Sequence, residues 1–507
     1  MTDRRSLLLT LGLLPWTGLR AHVEHENWDV VVIGSGAAGL SAAAAASESG
    51  LRVLVLEKQG TVGGNTLHSG GFYAAIDPAR QKRQGIKDSP ELFEQQILEN
   101  GGGKSDPKLV RLLVAGASDM LAYLEANGMR FKDRIIEIYG AHWPRCHLPV
   151  LPNGEGYIRT MLNIAMKNGA VIRTGMRATD LSTAKDGRIQ VLVQSRREEI
   201  LLTPRIGVIL ATGGFGANQA LISRFAPRLA GLTNDNTPGS TGEILVAARK
   251  LGALLVDLEE VQCLPGRPPG GQRRVRLHND VSRFIFVDHE GRRFVREDER
   301  RDVLRDKVLA LPDKTAFSIV DDEGLRSYDI LVQKETVLGV ETGDAWRGDT
   351  VEELANAMRL PPKTLQETVE AYNRSVRSKI DPLGKNPREL RHEIKTPPFW
   401  GCYAAMTVHY TMGGVRISPK AQVLREDGTL IPGLWAAGEV TGGIHGVNRM
   451  GANGVNDALV FGRIAGLKCC GGCERLNVGV LGKNKTRCPC KDKHPPTAAR
   501  RRMLHDR

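Results

Sequence analysis

The 507-residue chain has only eight cysteines, and five of them (Cys469, Cys470, Cys473, Cys488 and Cys490) crowd into the last forty residues. The body keeps Cys146, Cys263 and Cys402, widely spaced. No C-x-x-C-H run occurs, so no covalent c-type haem is expected. No integral membrane span is expected: the apolar segment Leu7 to Leu14 falls far short of the ~20 residues a spanning helix needs. No internal repeat is visible. Acidic residues are the minority, 57 against 70 Lys and Arg, for a net charge of +13. The stretch Lys468 to Arg507 holds 11 Lys/Arg against 3 Asp/Glu, and the other 467 residues carry the remaining +5. A surplus confined to one tail gives no basic face, so no nucleic-acid partner is expected.

The two ends of the chain stand apart from its body. Arg4 and Arg5 precede Leu7 to Leu14, a charge-then-apolar order that predicts a twin-arginine export signal over 1–26 and a periplasmic protein. No A-x-A cleavage site follows, and the alternative is a basic N-terminus on a cytoplasmic enzyme. In the atypical tail, 467–507, Cys470-x-x-Cys473 and Cys488-x-Cys490 have the spacing of a metal knuckle or a redox pair. The basic, aperiodic composition around them fits a disordered appendage better, so no metal site is expected.

Asp29 to Lys58 reads DVVVIGSGAAGLSAAAAASESGLRVLVLEK. The apolar run Val30 to Ile33 reads as a strand, an alanine-rich stretch as a helix, and Val53 to Leu56 as a second strand. Between the first two stand Gly34, Gly36 and Gly39 in G-x-G-x-x-G spacing, with Ala37 and Ala38 opening the helix. This is the βαβ dinucleotide fingerprint. Gly34 makes the turn, Gly36 lets a pyrophosphate approach, and Gly39 lets helix and strand pack closely. Glu57, followed by Lys58, ends the second strand where a carboxylate can accept from a ribose 2′-OH.

Further polar glycine loops follow. GGNTLHSGG places Gly64, Asn65, Thr66, Ser69, Gly70 and Gly71 in a loop able to wrap a cofactor. His68 within it is a candidate covalent flavin anchor, with an ordinary loop histidine as the simpler reading. ATGGFG, with Ala211, Thr212 and Gly213, closes a buried strand, Val208 to Leu210. Pro90 to about Gly128 and Gly154 to Gly169 are helical by period, and Asp106-Pro107 reads as an N-cap with proline at the first helical position. From about Glu259 to Tyr403 charge density rises, a helix pair spans about Thr350 to Lys379, and Asp381 to Pro398 reads as a proline-rich linker. Glycine turns then resume in HYTMGGVRI and PGLWAAGEVTGG, with Gly438 and Glu439, and a last helix over Gly451 to Gly466 carries Gly454 and Val455. The fold class is therefore α/β, a Rossmann-like cofactor domain (27–258 and 405–466) interrupted by an inserted α+β domain (259–404).

These stretches, with TPGSTGE, GRRFVRED-x-RRD and GGIHGVNRMGANG, resemble the soluble fumarate reductase family of flavoproteins, which includes flavocytochrome c and urocanate reductase. The resemblance runs from about Asp29 to Gly466. It implies FAD, with the fingerprint and the glycine loops above at cofactor-contact positions, and makes the inserted segment, 259–404, a capping domain over substrate and flavin. It implies reduction of a C=C bond conjugated to a carboxylate, with hydride from flavin N5 and a proton from Arg301. His409 and Arg449 fall where the family grips one substrate carboxylate, an arrangement suited to a guanidinium.

Leu264 stands where fumarate reductases carry a histidine for the second carboxylate. Arg276 and Leu277 replace a threonine and a glutamate, and Asp280 replaces an arginine. The expected substrate is therefore an enoate other than fumarate. Leu264 favours an apolar or aromatic distal group, whereas Arg274 and Arg276 suit another anion. Asp280 is expected beside Arg301 as a replacement proton relay. With no haem motif, electrons are expected from a separate cytochrome, flavoprotein or quinol-linked donor. Two rival readings are a 3-ketosteroid-type dehydrogenase, whose reacting-carbon tyrosines find no match here, and a non-catalytic flavin electron carrier.

Overall fold

A computed structural model describes residues 22–23, 27–268 and 270–470. The tail cysteines Cys473, Cys488 and Cys490 lie outside the described residues. Of the expected export signal, only His22–Val23 is described, as a short strand parallel to Glu199–Leu202.

The core begins with strand β1 (Val30–Ile33), helix α1 (Ala37–Glu48) and strand β2 (Val53–Glu57). Strands β3 (Val171–Thr174) and β4 (Gly207–Leu210) flank them in a parallel sheet, in the order β4, β1, β2, β3. Strands β1, β2 and β4 are buried at every residue, as their unbroken Val/Ile/Leu runs require when both faces are covered.

Chain order then brings strand β5 (Val261–Gly266), helix α2 (Arg301–Leu309) and strand β6 (Ala405–Thr411). β5 and β6 pair antiparallel. The chain thus leaves the cofactor body and returns to it through one two-stranded ribbon. Between them lies an antiparallel sheet in the order Ile285–Val287, Phe317–Asp321, Phe399–Tyr403, Ala345–Gly348. A second apolar core gathers there, drawing Leu354, Leu365, Tyr372 and Phe399 from between 285 and 399. After β6, strand β7 (Gln422–Leu424) lies antiparallel on the sheet edge next to β8 (Leu430–Ala436), which joins β4 in parallel. Helix α3 (Asn453–Lys468) closes the fold against α1.

The expected helical stretch after Pro90 divides into Pro90–Asn100 and Pro107–Ala126. Gly101 to Gly103 turns the chain between them, and Asp106 caps the second helix by accepting from Lys108 N. Asp381 to Pro398 is not a loose linker. The side chains of Asp381 and Lys385 are fully buried, paired with Arg293 at 2.6 Å and with Glu297 at 3.0 Å. Proline marked irregular backbone correctly, but a buried ion network rather than solvation holds it. Among the described residues no helix is long and apolar enough to cross a membrane.

The alanine run of α1 has a packing cause: residues 37 to 47 are all buried. A Cβ at Gly462 of α3 would stand 2.4 Å from the Ala38 carbonyl oxygen, and one at Gly466 would stand 2.3 Å from that of Ala42. The two helices meet backbone to backbone. Gly462→Val is expected to overpack this seam at about 1–3 kcal/mol, read as a lowered Tm with earlier loss of bound flavin in a thermal melt.

Candidate active site

β1, α1 and β2 build one end of the site. Gly34 takes a φ of 104°, which disfavours a side chain. A Cβ at Gly39 would lie 1.9 Å from the Gly34 carbonyl oxygen, so only glycine lets α1 start this close to β1. Glu57 is buried with its carboxylate fixed. Oε2 accepts from Ser35 N at 3.1 Å and Ser35 Oγ at 2.5 Å, and Oε1 accepts from Gln59 N at 2.8 Å. Asn65 ties two polar loops together, donating to Asn236 Oδ1 at 2.7 Å and accepting from Thr237 N at 2.8 Å. Thr66 Oγ1 accepts from Ala37 N at 3.1 Å, and Lys58 pairs with Glu243 at 3.0 Å.

One cavity reaches from Gly36 and Glu57 to Arg301, His409 and Arg449. Ala37, Ala38, Lys58, the GGNTLHSGG loop at Gly64 to Thr66 and His68 to Gly71, Ala211 to Gly213, Gly438, Glu439, Gly454 and Val455 also line it. Gly39 lies behind the lining and serves the packing instead. At Gly64 and Gly213 a Cβ would meet nothing within 4 Å, so bare backbone faces open cavity. Exposed backbone at a helix start suits phosphate, and a buried, oriented carboxylate suits ribose hydroxyls. The donor set therefore fits a dinucleotide cofactor.

At the far end, the β5–β6 register slips between Gln262 and Cys263. Gln262 faces Tyr410 and Cys263 faces Val408, which leaves His409 as the extra residue of a bulge. Bulges re-aim side chains, and this one lines the cavity. His409 Nδ1 lies 2.9 Å from Asp235 Oδ2, and Asp235 also pairs with Arg274 at 2.7 Å. Burial alone would raise the Asp235 carboxyl, but Arg274 and His409 outweigh it and hold it at about 2. Burial pulls His409 below its ordinary 6.5, and Asp235 only partly offsets that.

Arg301 opens α2, at the positive end of its dipole. Its guanidinium donates to Gln262 Oε1 at 3.0 Å and to the Tyr139 carbonyl at 2.8 Å. Arg449 donates to the same Gln262 oxygen at 2.9 Å. Both arginines are buried, and the Nε of each has no protein partner among the described residues. Burial, then the charge of Arg449, lowers Arg301 to about 9; burial also lowers Arg449. Two buried cations thus share one neutral acceptor. That acceptor is locked in turn, since Gln262 Nε2 donates to Asn448 Oδ1 at 3.0 Å and to the Arg449 carbonyl at 2.8 Å.

Arg301, His409 and Arg449 are brought together; Asp280 is not among them. Its Oδ1 accepts from Ser282 N at 3.0 Å and Ser282 Oγ at 2.6 Å, and Oδ2 pairs with Arg134 at 3.4 Å. It lies off the cavity wall and makes no bond to Arg301. Short aspartate side chains readily bond the backbone two residues on, and that local turn draws the carboxylate away. Sequence reasoning missed Gln262 and Asp235. Gln262 sits two residues before Leu264 on β5, on the same face by strand period, and that spacing was the available signal.

Residues 29–455 match the FAD binding domain family. The chain belongs to this family. A fumarate reductase (cytochrome) of Shewanella frigidimarina is 35% identical over 450 residues, covering 88% of this chain and 77% of that protein. The open conformation of a flavocytochrome c3 fumarate reductase shares the fold with a TM-score of 0.70 and 31% identity, over 88% of this chain and 78% of that one. A 3-ketosteroid-Δ4-(5α)-dehydrogenase from Rhodococcus jostii RHA1 follows at a TM-score of 0.69 and 26% identity, over 89% and 99%. FAD is the cofactor that family membership and the cavity agree on. Glu57→Ala removes a charged acceptor worth about 1.5–3 kcal/mol. It is expected to weaken FAD binding by roughly ten- to a hundredfold, measured by fluorescence titration of the apoprotein.

Proposed function

We propose that the protein reduces a C=C bond conjugated to a carboxylate, with Arg301, His409 and Arg449 as the working residues. One observation carries the reading. Two buried guanidiniums converge with an imidazole on one end of the cofactor cavity, and the guanidiniums share a single amide oxygen. Such a cluster is short of one anion, and a carboxylate supplies it bidentately. The fumarate reductase relatives support the same class of substrate.

FAD held along the fingerprint and the glycine loops would supply a hydride for one alkene carbon. Arg449 and the His409 imidazole hold the carboxylate, which places the alkene and draws electron density from it. Arg301 gives the proton to the other carbon. Its proton is more transferable than that of an exposed arginine because burial and Arg449 lower it to about 9. Gln262 and the Tyr139 carbonyl hold the guanidinium rigid, which fixes the direction of transfer. The product is the saturated carboxylate, and Arg301 regains its proton from solvent by a route other than Asp280. A neutral ketosteroid would leave the cation cluster uncompensated, so charge weighs against the dehydrogenase reading. Electrons come from a separate cytochrome, flavoprotein or quinol-linked donor. The Arg4–Arg5 pattern supports a periplasmic setting.

The test is anaerobic reoxidation of the viologen-reduced flavoprotein by fumarate, urocanate, cinnamate, acrylate and a 3-ketosteroid acceptor. Turnover by at least one enoate supports the reading. Silence across the enoates, with flavin bound and reducible, overturns it in favour of an electron carrier. Arg301→Gln is expected to slow enoate reduction by about 10²–10⁴-fold, with flavin content checked separately by absorbance.

His409 supplies a pH signature. Its folded pKa is depressed below 6.5, so it is neutral in the free enzyme near pH 7 and must gain a proton when it receives an anion. Carboxylate affinity is therefore expected to fall as pH rises above that depressed value, by up to about tenfold per unit. Asp235→Asn removes the support for the imidazolium and moves the fall to lower pH. Titration of flavin absorbance with a saturated carboxylate at several pH values reads both effects.

A further inference from the structure

The segment Arg274 to Asn279, RVRLHN, runs along the cavity with a two-residue alternation. Arg274, Arg276 and His278 line the cavity, while Val275 and Leu277 are buried in the core at 3% and 0% exposure. The alternation is that of extended chain, and it puts three basic side chains on one wall. They are not equivalent. Arg274 is neutralised by Asp235 at 2.7 Å. His278 is buried, and burial with the neighbouring arginines keeps it uncharged. Arg276 makes no hydrogen bond or ion pair with any described residue, yet keeps surface open to the cavity. Burial, then Arg274, lowers it to about 10, because Asp235, Asp329 and Glu335 act on it only at a distance.

A guanidinium held in a closed wall without a partner is costly unless something else pairs it. It shares no hydrogen-bond partner with His409, which turns to Asp235, or with Arg449, which turns to Gln262. Leu264 lines the same cavity and offers an apolar wall that binds no carboxylate. We propose that Arg276 is a second anion subsite, and that the substrate is an enoate bearing a further anionic group on its distal part. This rests on the reading of the site as an enoate reductase and names the substrate class. Carboxylate, sulfonate and phosphate share the chemistry, since each accepts two N–H bonds from the guanidinium fork.

The test uses the FAD-loaded enzyme and pairs of enoates matched in size: cinnamate against 4-carboxycinnamate and 4-sulfocinnamate, and 2-pentenoate against glutaconate. KM is measured for each, and binding is read independently through perturbation of the oxidised flavin spectrum. The charged member is expected to bind about ten- to a hundredfold more tightly, the range of a charge-assisted pair. Arg276→Gln should bring the ratio within a pair to near one, and Arg276→Lys should leave it intermediate. The carboxy and sulfo arms show which anion is preferred. Equal binding of charged and uncharged partners by the wild-type enzyme overturns the proposal, as does an Arg276→Gln variant that keeps the ratio. If no enoate is turned over, the enoate-reductase reading fails, and the spectral titration still decides the charge preference by itself.

Discussion

Like charges buried together repel one another, and among the described residues this part of the cavity has fewer carboxylates than guanidiniums. Arg274, Arg276, Arg301 and Arg449 line one region, with His409 among them. Facing them are Asp235, shared between Arg274 and His409, and Glu439, which burial pushes up to about 7. Arg301 and Arg449 are tolerated because each has a partner short of a full counter-charge. Arg301 and Arg449 have the Gln262 oxygen, and each lies over a ring, Tyr139 and Tyr410 respectively. Neutral acceptors hold geometry without cancelling charge. The electrostatic demand is therefore kept for a ligand, which is how a preorganised site stores its selectivity.

The fold supplies the rigidity that such a cluster needs. Arg301 begins a helix, Gln262 and His409 sit on paired strands, and Arg449 lies just ahead of α3, which is packed backbone to backbone on α1. Because α1 also carries part of the cofactor fingerprint, Arg449 and the cofactor cradle are tied to the same pair of helices. The β5–β6 ribbon joins the two cores through the same residues.

The two halves of the site differ in how legible they were. Close backbone approach can be met by few residues, so Gly34, Gly36 and Glu57 announce a cofactor from sequence alone, and the strands around them fall where their apolar runs place them. The substrate end depends on pairings between residues far apart in the chain. Asp235 meets His409 across 174 residues and Gln262 meets Arg449 across 187. No local pattern encodes those contacts. Asp280 shows the converse: register placed it near the right loop, but a turn bond to Ser282 two residues away decided where its carboxylate points. The tertiary role of Asp381 and Lys385 was hidden for the same reason, since proline content describes the backbone and says nothing of a buried ion pair.

Among the described residues, the buried arginines and lysine outside this cavity each meet a carboxylate, which gives the cavity its meaning. In the inserted segment, Arg293 and Lys385 meet Glu297 and Asp381 at 2.6 to 3.0 Å. Burial would raise Glu297, but the two cations hold it at about 2. Arg145 and Asp88 form another closed pair at 2.7 Å. An unpaired buried charge costs several kcal/mol, so a chain that closes these pairs has the means to close the others. It does not close them at Arg276, Arg301 and Arg449, all on one cavity and all at the end away from the fingerprint. Guanidiniums left without a carboxylate in one cavity, where the other buried arginines and lysine have one, are the pattern expected of a site that an anionic ligand completes.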